Sequence, residues 1–317
     1  MKTLRTKLQK EDTSPPKVIF ETIKYNRGLV TEAKDLYELK RNIAGEEGEK
    51  IVLEYLEEFG RKDWRIIRNM WMNHYGPFEC DLILITDFKV YVFEIKNYFG
   101  EFSYKNGITK IDGIQRNFNP IHQSSRNSTN IKQILIHKFP TLPVEGALIF
   151  TGINNKVSIE SGIPDIEIIP RNHLMSYIRK VALEERTFNG PPINPADILV
   201  QLENLEIQND FAPVPLTNDE MNKVKKGIYC AHCKKYTIKI KRFEIFCSCG
   251  YKESREQATL RTIKDYGILR FDHQLKIKDL LEFFNHQVSR NYLTKILSTH
   301  FEHVNNWSHS YYKNSVL

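Results

Sequence analysis

The chain has 317 residues, 41% of them hydrophobic, with 46 Lys+Arg against 39 Asp+Glu and a formal charge of +7. That size and apolar fraction supply a packed core and room for two or three domains, which excludes a disordered polyampholyte. No run approaches the roughly 18 apolar residues that a bilayer-crossing helix needs, and the polar start Met1-Lys2-Thr3-Leu4-Arg5 has no signal-peptide apolar region, so a cytoplasmic location without membrane contact is expected.

Residues 1–40 are mixed and charged, and Pro15-Pro16 interrupts any early helix. Ile51, Val52, Tyr55, Leu56 and Phe59 recur at helical spacing and predict a helix over 44–59, which Gly60 can end. A strand is expected over 64–72, then a turn at Gly76-Pro77. Two further strands, 79–86 and 89–97, are separated only by Asp87-Phe88 and form an antiparallel hairpin. A helix over 119–138, a buried strand over 145–151, short strands at 157–159 and 166–169 and a helix over 172–185 follow. Two proline-rich stretches, around Pro191-Pro192 and Pro213-Val214-Pro215, bracket a short helix over 196–207.

Strand side chains alternate faces with a period of two. Glu79 and Asp81 therefore share a face with Ile83 and Ile85, and Glu94 and Lys96 share one with Val90 and Val92. Tyr91, Phe93 and Ile95 fill the opposite face, so 89–97 reads as an interior strand carrying an acid and a lysine near its end. Burying such groups is costly unless they pair or bind a metal. A structural Glu–Lys pair meets that condition. So does a hydrolytic Mg²⁺ (or Mn²⁺) site, with Asp81, Glu94 and the backbone carbonyl of Ile95 as hard oxygen ligands and Lys96 orienting the attacking water.

Four segments stand in a telling order: Gly45-Glu46-Glu47-Gly48-Glu49, Glu79-Cys80-Asp81, Glu94-Ile95-Lys96 and Asn119-Pro120-Ile121-His122-Gln123. Together they resemble the motifs of the nuclease-related domain, NERD, of the PD-(D/E)xK nuclease superfamily, over about residues 40 to 155. The resemblance implies an α/β restriction-endonuclease-like core, a mixed sheet flanked by helices. It further implies Glu49 as a helical acid, Asp81 as a metal-binding acid, Glu94 and Lys96 as the (D/E)xK pair, and Gln123 contacting substrate phosphate or supporting the metal shell. Cys80 stands where a proline often precedes the first acid, and it is expected to be a small buried residue.

Cys230-Ala231-His232-Cys233 and Cys247-Ser248-Cys249-Gly250 are separated by 13 residues that alternate as a short hairpin. Two such knuckles make a tetrahedral four-cysteine zinc site with every position filled by protein, hence a structural Zn²⁺, and the segment resembles a zinc ribbon. His232 is the one alternative ligand. Lys234, Lys235, Lys239, Lys241 and Arg242 on this hairpin either contact phosphate or are simply solvated.

Two apolar stripes, Ile277 to Phe284 and Val288 to Phe301, suggest two helices in helix-turn-helix spacing, with Ser289 capping the second and Arg290, Asn291, Thr294, Lys295 and Ser298 facing out. Residues 221–317 hold 18 basic and 8 acidic side chains, while the remaining 220 residues hold 28 and 31. That asymmetry favours nucleic acid, DNA foremost, as partner.

The expected division is an extension 1–40, a nuclease-like domain 41–186, a proline-punctuated connector 187–226, a ribbon 227–253 and a small helical region 254–317. The expected function is a metal-dependent nuclease whose C-terminal third holds the substrate. The alternatives are a non-cleaving nucleic-acid-binding module, or a scaffold that binds protein partners in a bacterial defence or DNA-processing complex.

Overall fold

Apolar residues on both faces of the central strands need a layer of helices on each side, and the computed structural model supplies both. It describes residues 15–153, 156–160, 166–307 and 310–315. Two units emerge: Arg41–Asp210, and residues 15–40 together with 211–315.

Helix α1 (Lys17–Asn26) has Pro16 as its N-cap residue. A proline there gives up only an N–H that a helix start leaves unpaired. Pro15-Pro16 therefore precedes a helix and does not prevent one. Residues 15–40 are part of the second unit and not a separate extension. Helix α2 (Ala33–Phe59) begins at Ala33 and not at residue 44, because Leu36, Tyr37, Leu39 and the intervening charged residues are compatible with a helix that starts well before the apolar stripe.

In the first unit β1 (Arg65–Asn73), β2 (Pro77–Ile85) and β3 (Val90–Lys96) form an antiparallel meander. A small sheet follows, with β4 (Glu101–Lys105), β5 (Ile108–Ile111) and β6 (Ile114–Arg116). Helix α3 (Pro120–Ile136) then returns the chain to β7 (Val144–Phe150), which lies parallel to β3. β8 (Lys156–Ile159) pairs with β4, and β9 (Ile166–Pro170) pairs parallel with β7. Helices α4 (Arg171–Thr187) and α5 (Pro195–Glu203) complete the unit.

The main sheet has the order β1-β2-β3-β7-β9. One face packs Leu82, Phe93 and Ile149 against Val52 and Leu56 of α2 and Leu174 and Ile178 of α4. The other packs Ile83, Val92 and Ile67 against Ile131 and Leu135 of α3 and Ile198 of α5. The core is thus the expected mixed sheet flanked by helices.

One strand face departs from the sequence reading. Phe78 and Cys80 lie on the same face as Ile83 and Ile85, while Leu82 and Leu84 take the other. The alternation slips at Asp81, so that acid does not simply follow Ile83 and Ile85. Across the β1–β2 ladder the matching position is Asn69, at φ +48° between the paired Arg68↔Leu82 and Met70↔Cys80. A local kink of this kind re-aims a side chain beside a site.

The second unit continues with α6 (Asn218–Lys223) and a three-stranded sheet, β10 (Ile238–Ile240), β11 (Glu244–Cys247) and β12 (Lys252–Ser254). Helices α7 (Arg255–Leu269), α8 (Ile277–Phe283) and α9 (Arg290–His300) follow, then the short pair β13 (His303–Val304) and β14 (Tyr311–Tyr312). Phe20 and Ile23 of α1 share one core with Ile245 of the ribbon, Ile263, Leu280, Leu293 and Tyr312. Arg27, fully buried, binds Asp265 Oδ2 through Nε at 3.2 Å and Nη2 at 2.8 Å, and donates through Nη1 to the carbonyls of Lys225 and Gly227. No helix among the described residues is long and apolar enough to cross a membrane.

Candidate active site and metal centre

The β2–β3 ladder runs in register from Ile85↔Val90 to Leu82↔Phe93 and stops there. The next facing pair is Asp81 and Glu94. Instead of a backbone partner, the Ile95 amide donates to Asp81 Oδ2 at 2.7 Å. In an extended strand the N–H and C=O of one residue point to the same side, so the Ile95 carbonyl opens toward Asp81 as well. On the β7 side β3 stays fully paired as far as Lys96↔Phe150.

Glu94 is 1% exposed, and its Oε1 lies 2.5 Å from Lys96 Nζ. Burial, and then the charge of Asp81, push its carboxyl up to about 8 against the pull of Lys96. Burial works against the Lys96 ammonium, but the Glu94 and Asp81 charges outweigh it and hold its pKa above the ordinary lysine value. Glu49 comes from α2 on the other side of the sheet and pairs with Arg68 at 3.2 Å. Burial and the Asp81 charge push Glu49 up to about 7. Asp81 therefore feels an acid on each side.

The motif glycine explains how α2 reaches this point. A Cβ on Gly48 would lie 2.8 Å from Thr151 Oγ1 and 2.9 Å from Asn97 Cβ, and Asn97 Nδ2 donates to the Ala44 carbonyl at 2.8 Å. Only a glycine lets the helix rest directly on the ends of β3 and β7. Glu46 and Glu47 remain exposed. Cys80 is fully buried, and burial holds its thiol well above the ordinary value, which leaves it unreactive.

Gln123 lies in the first turn of α3, capped by Asn119, and no described hydrogen bond joins its side chain to the acids. One turn further on, Asn127 does reach them. Its Nδ2 lies 2.8 Å from the Glu79 carbonyl and 3.4 Å from Glu94 Oε2, the residue is 1% exposed, and its Oδ1 is buried without a partner. Asn127 is absent from the residues that the sequence alone singles out. The available signal is its place one helical turn after Gln123 on the same face.

Among the described residues, the four cysteines are the set of three or more ligand side chains whose donor atoms converge: the sulfurs of Cys230, Cys233, Cys247 and Cys249 all lie within 4.8 Å of one another. Cys230–Cys249 is 3.8 Å and Cys233–Cys247 is 3.5 Å. Tetrahedral bonds of about 2.3 Å from sulfur to zinc place the sulfurs about 3.8 Å apart. The donor set fits zinc, with no position left open. His232 Nδ1 is 4.0 Å from Cys249 Sγ and its ring stacks on Tyr251, outside the set. The ribbon strands pair as Ile238↔Cys247 to Ile240↔Ile245, which brings the second knuckle under the first.

No curated protein and no solved structure matches the chain. Residues 44–151 match the family model of the nuclease-related domain. That stretch contains Glu49, Asp81, Glu94, Lys96, Gln123 and Asn127. The first unit of this chain therefore carries a nuclease-related domain, NERD, and the second carries a four-cysteine cluster compatible with structural zinc.

Proposed function

We propose that the first unit is a metal-dependent nuclease that hydrolyses phosphodiester bonds of nucleic acid, with DNA as the first substrate to test. One observation carries this reading: inside the NERD segment, Asp81, Glu94 and Lys96 meet where the β2–β3 ladder ends. Lys96 pairs with Glu94, and Asp81 and Glu49 add two further acids whose charges act on the same place, so the local charge favours a further cation. Asp81, Glu94 and the Ile95 carbonyl form a hard oxygen set that suits Mg²⁺ or Mn²⁺.

When bound, such an ion supplies charge neutralisation at the phosphate and a more acidic water. The protein's own groups do the rest. Asp81 and Glu94 would hold the ion, and Asn127 Nδ2 supports the Glu94 carboxylate from the α3 side. Lys96 is kept protonated by its neighbours and presents a fixed positive charge to the attacked phosphate and its water. Glu49 biases Asp81 from the α2 side, and Gln123 contacts the phosphate or the metal shell. Zinc on the four cysteines shapes the ribbon, and the basic second unit holds the nucleic acid through its phosphates, without reading sequence.

The test is cleavage of labelled DNA in Mg²⁺ or Mn²⁺, side by side with metal titration. Asp81→Ala and Glu94→Ala should lose cleavage and metal binding together. Lys96→Ala should lose cleavage, by about 100-fold or more for one lost transition-state donor, and keep the metal. Glu49→Ala and Asn127→Ala should be intermediate. Full activity in Asp81→Ala or Lys96→Ala would mean that the active site lies elsewhere, and binding with no cleavage by the unaltered protein would favour the non-cleaving module.

A further inference from the structure

A groove of about 490 Å³ lies in the second unit, between the turn that follows α1 and the chain from Lys225 to the first cysteine knuckle. Its lining includes Lys225, Lys234 and Lys235 and no acidic residue. Tyr25, 43% exposed, stands at its side.

The groove is built and not merely left over. The Tyr236 hydroxyl donates to the carbonyls of Asn26 at 3.3 Å and Lys225 at 3.1 Å, tying one wall to the other. The Lys225 amide donates to the Arg27 carbonyl at 2.9 Å, and the buried Arg27 guanidinium returns a bond to the Lys225 carbonyl at 3.2 Å. Gly28, at φ +76°, has no side chain where a Cβ would lie 2.9 Å from Lys225 Cε. The stem of Lys225 therefore lies along the backbone at Gly28, and the residue lines the groove. Among the described residues neither Lys225 nor Lys235 is neutralised by an acid.

We propose that this groove binds a single strand of nucleic acid, with the lysines on successive phosphates and a base stacked on Tyr25. A lysine-lined channel beside an exposed aromatic ring is the combination that holds single strands irrespective of sequence. The volume suits one or two nucleotides. A duplex, whose major groove alone is about 12 Å wide, would lie across the opening and leave Tyr25 unstacked. The proposal rests on the nuclease reading and adds a strand-binding site built wholly within the second unit.

The experiment is fluorescence anisotropy of a short labelled oligothymidylate with the full chain carrying Lys96→Ala, so that the probe survives, and without chelator. Lys225→Glu combined with Lys235→Glu should weaken binding at least about tenfold at low salt. The slope of log K against log salt should fall by about 1.4, from two lost single-strand contacts at about 0.7 each. Tyr25→Ala should weaken binding about tenfold with the slope unchanged. Lys50→Glu with Lys62→Glu, exposed on the first unit, should change little. Zinc content checks that each variant is folded, and Lys225→Gln with Lys235→Gln replaces the glutamate pair if that pair fails to fold. Unchanged affinity and slope in the lysine pair, or no effect of Tyr25→Ala, overturns the groove. So do equal losses for single strand and duplex. Cleavage is scored separately on the unaltered protein: a protein that cleaves while its groove variants bind normally sinks only the groove, and one whose groove variants lose the strand while it never cleaves sinks only the nuclease.

Discussion

Glu94 is held in a buried place beside another acid, and Glu49 is in a milder version of the same position. Both carboxyls titrate above their ordinary value of 4.5, at about 8 and about 7. Between those limits the folded protein keeps protons that the unfolded chain has released. Their contribution to stability is full below about pH 4.5 and is lost as pH rises through about 7 and 8. Without divalent metal, the unfolding temperature of the first unit should therefore fall as pH rises across that window. Glu94→Gln should flatten the fall, and Mg²⁺ should stabilise more at the alkaline end, where no proton has to leave its ligands. Thermal melts across pH, with and without Mg²⁺, check this; a flat metal-free profile would contradict it. Asp81, Glu94 and Lys96 are legible in the sequence because ionisable groups are conspicuous in an apolar strand. Asn127 is not, since it meets Glu94, 33 positions away, only after α3 has crossed back over the sheet.

Gly48 sets how close α2 comes to the strand ends. Gly48→Val places branched atoms where a single Cβ already meets Thr151 and Asn97 below 3 Å, so it should cost about 1–3 kcal/mol as overpacking and lower cleavage by moving Glu49. Denaturant unfolding measures the first effect, and wild-type stability in Gly48→Val would show that the helix can lift without penalty. The long strands are readable from their continuous apolar runs. The small sheet of β4, β5 and β6 escapes that reading, although its turns are written in the chain: Asn106-Gly107 and Asp112-Gly113 all have positive φ, from +50° to +79°. Such pairs are strong hairpin signals, but strands of three to five residues carry too little periodicity to frame them. Ser289 is readable as a cap, and its hydroxyl does accept the Tyr292 amide at 3.3 Å. The apolar stripes of α8 and α9 serve the core they share, through Leu280, Phe283, Leu293, Ile296 and Leu297.

At the scale of the molecule, two units with separate cores should unfold separately, and each should answer to its own metal. Removing zinc should lower the unfolding temperature of the second unit by at least about 10 °C, a loss of several kcal/mol, because Ile245 of the ribbon belongs to that unit's core. The first unit should hold its transition under the same treatment. Calorimetry in a zinc chelator tests this, and two unmoved transitions would show that the cysteine cluster does not support the fold. Arg27→Ala should cost the second unit about 3–5 kcal/mol, since it leaves the buried Asp265 without its partner. That ion pair joins positions 238 apart, and the whole nuclease-related segment lies between them. The second unit is therefore interrupted by the first. On the ribosome, α1 emerges early with Phe20 and Ile23 uncovered, and it must wait until α7 has been translated before it can dock. The inserted unit has all its strands long before then and is free to close first. A fragment that starts at residue 211 would lack Phe20 and Ile23, one wall of its own core, and should fold only when residues 15–40 are supplied with it.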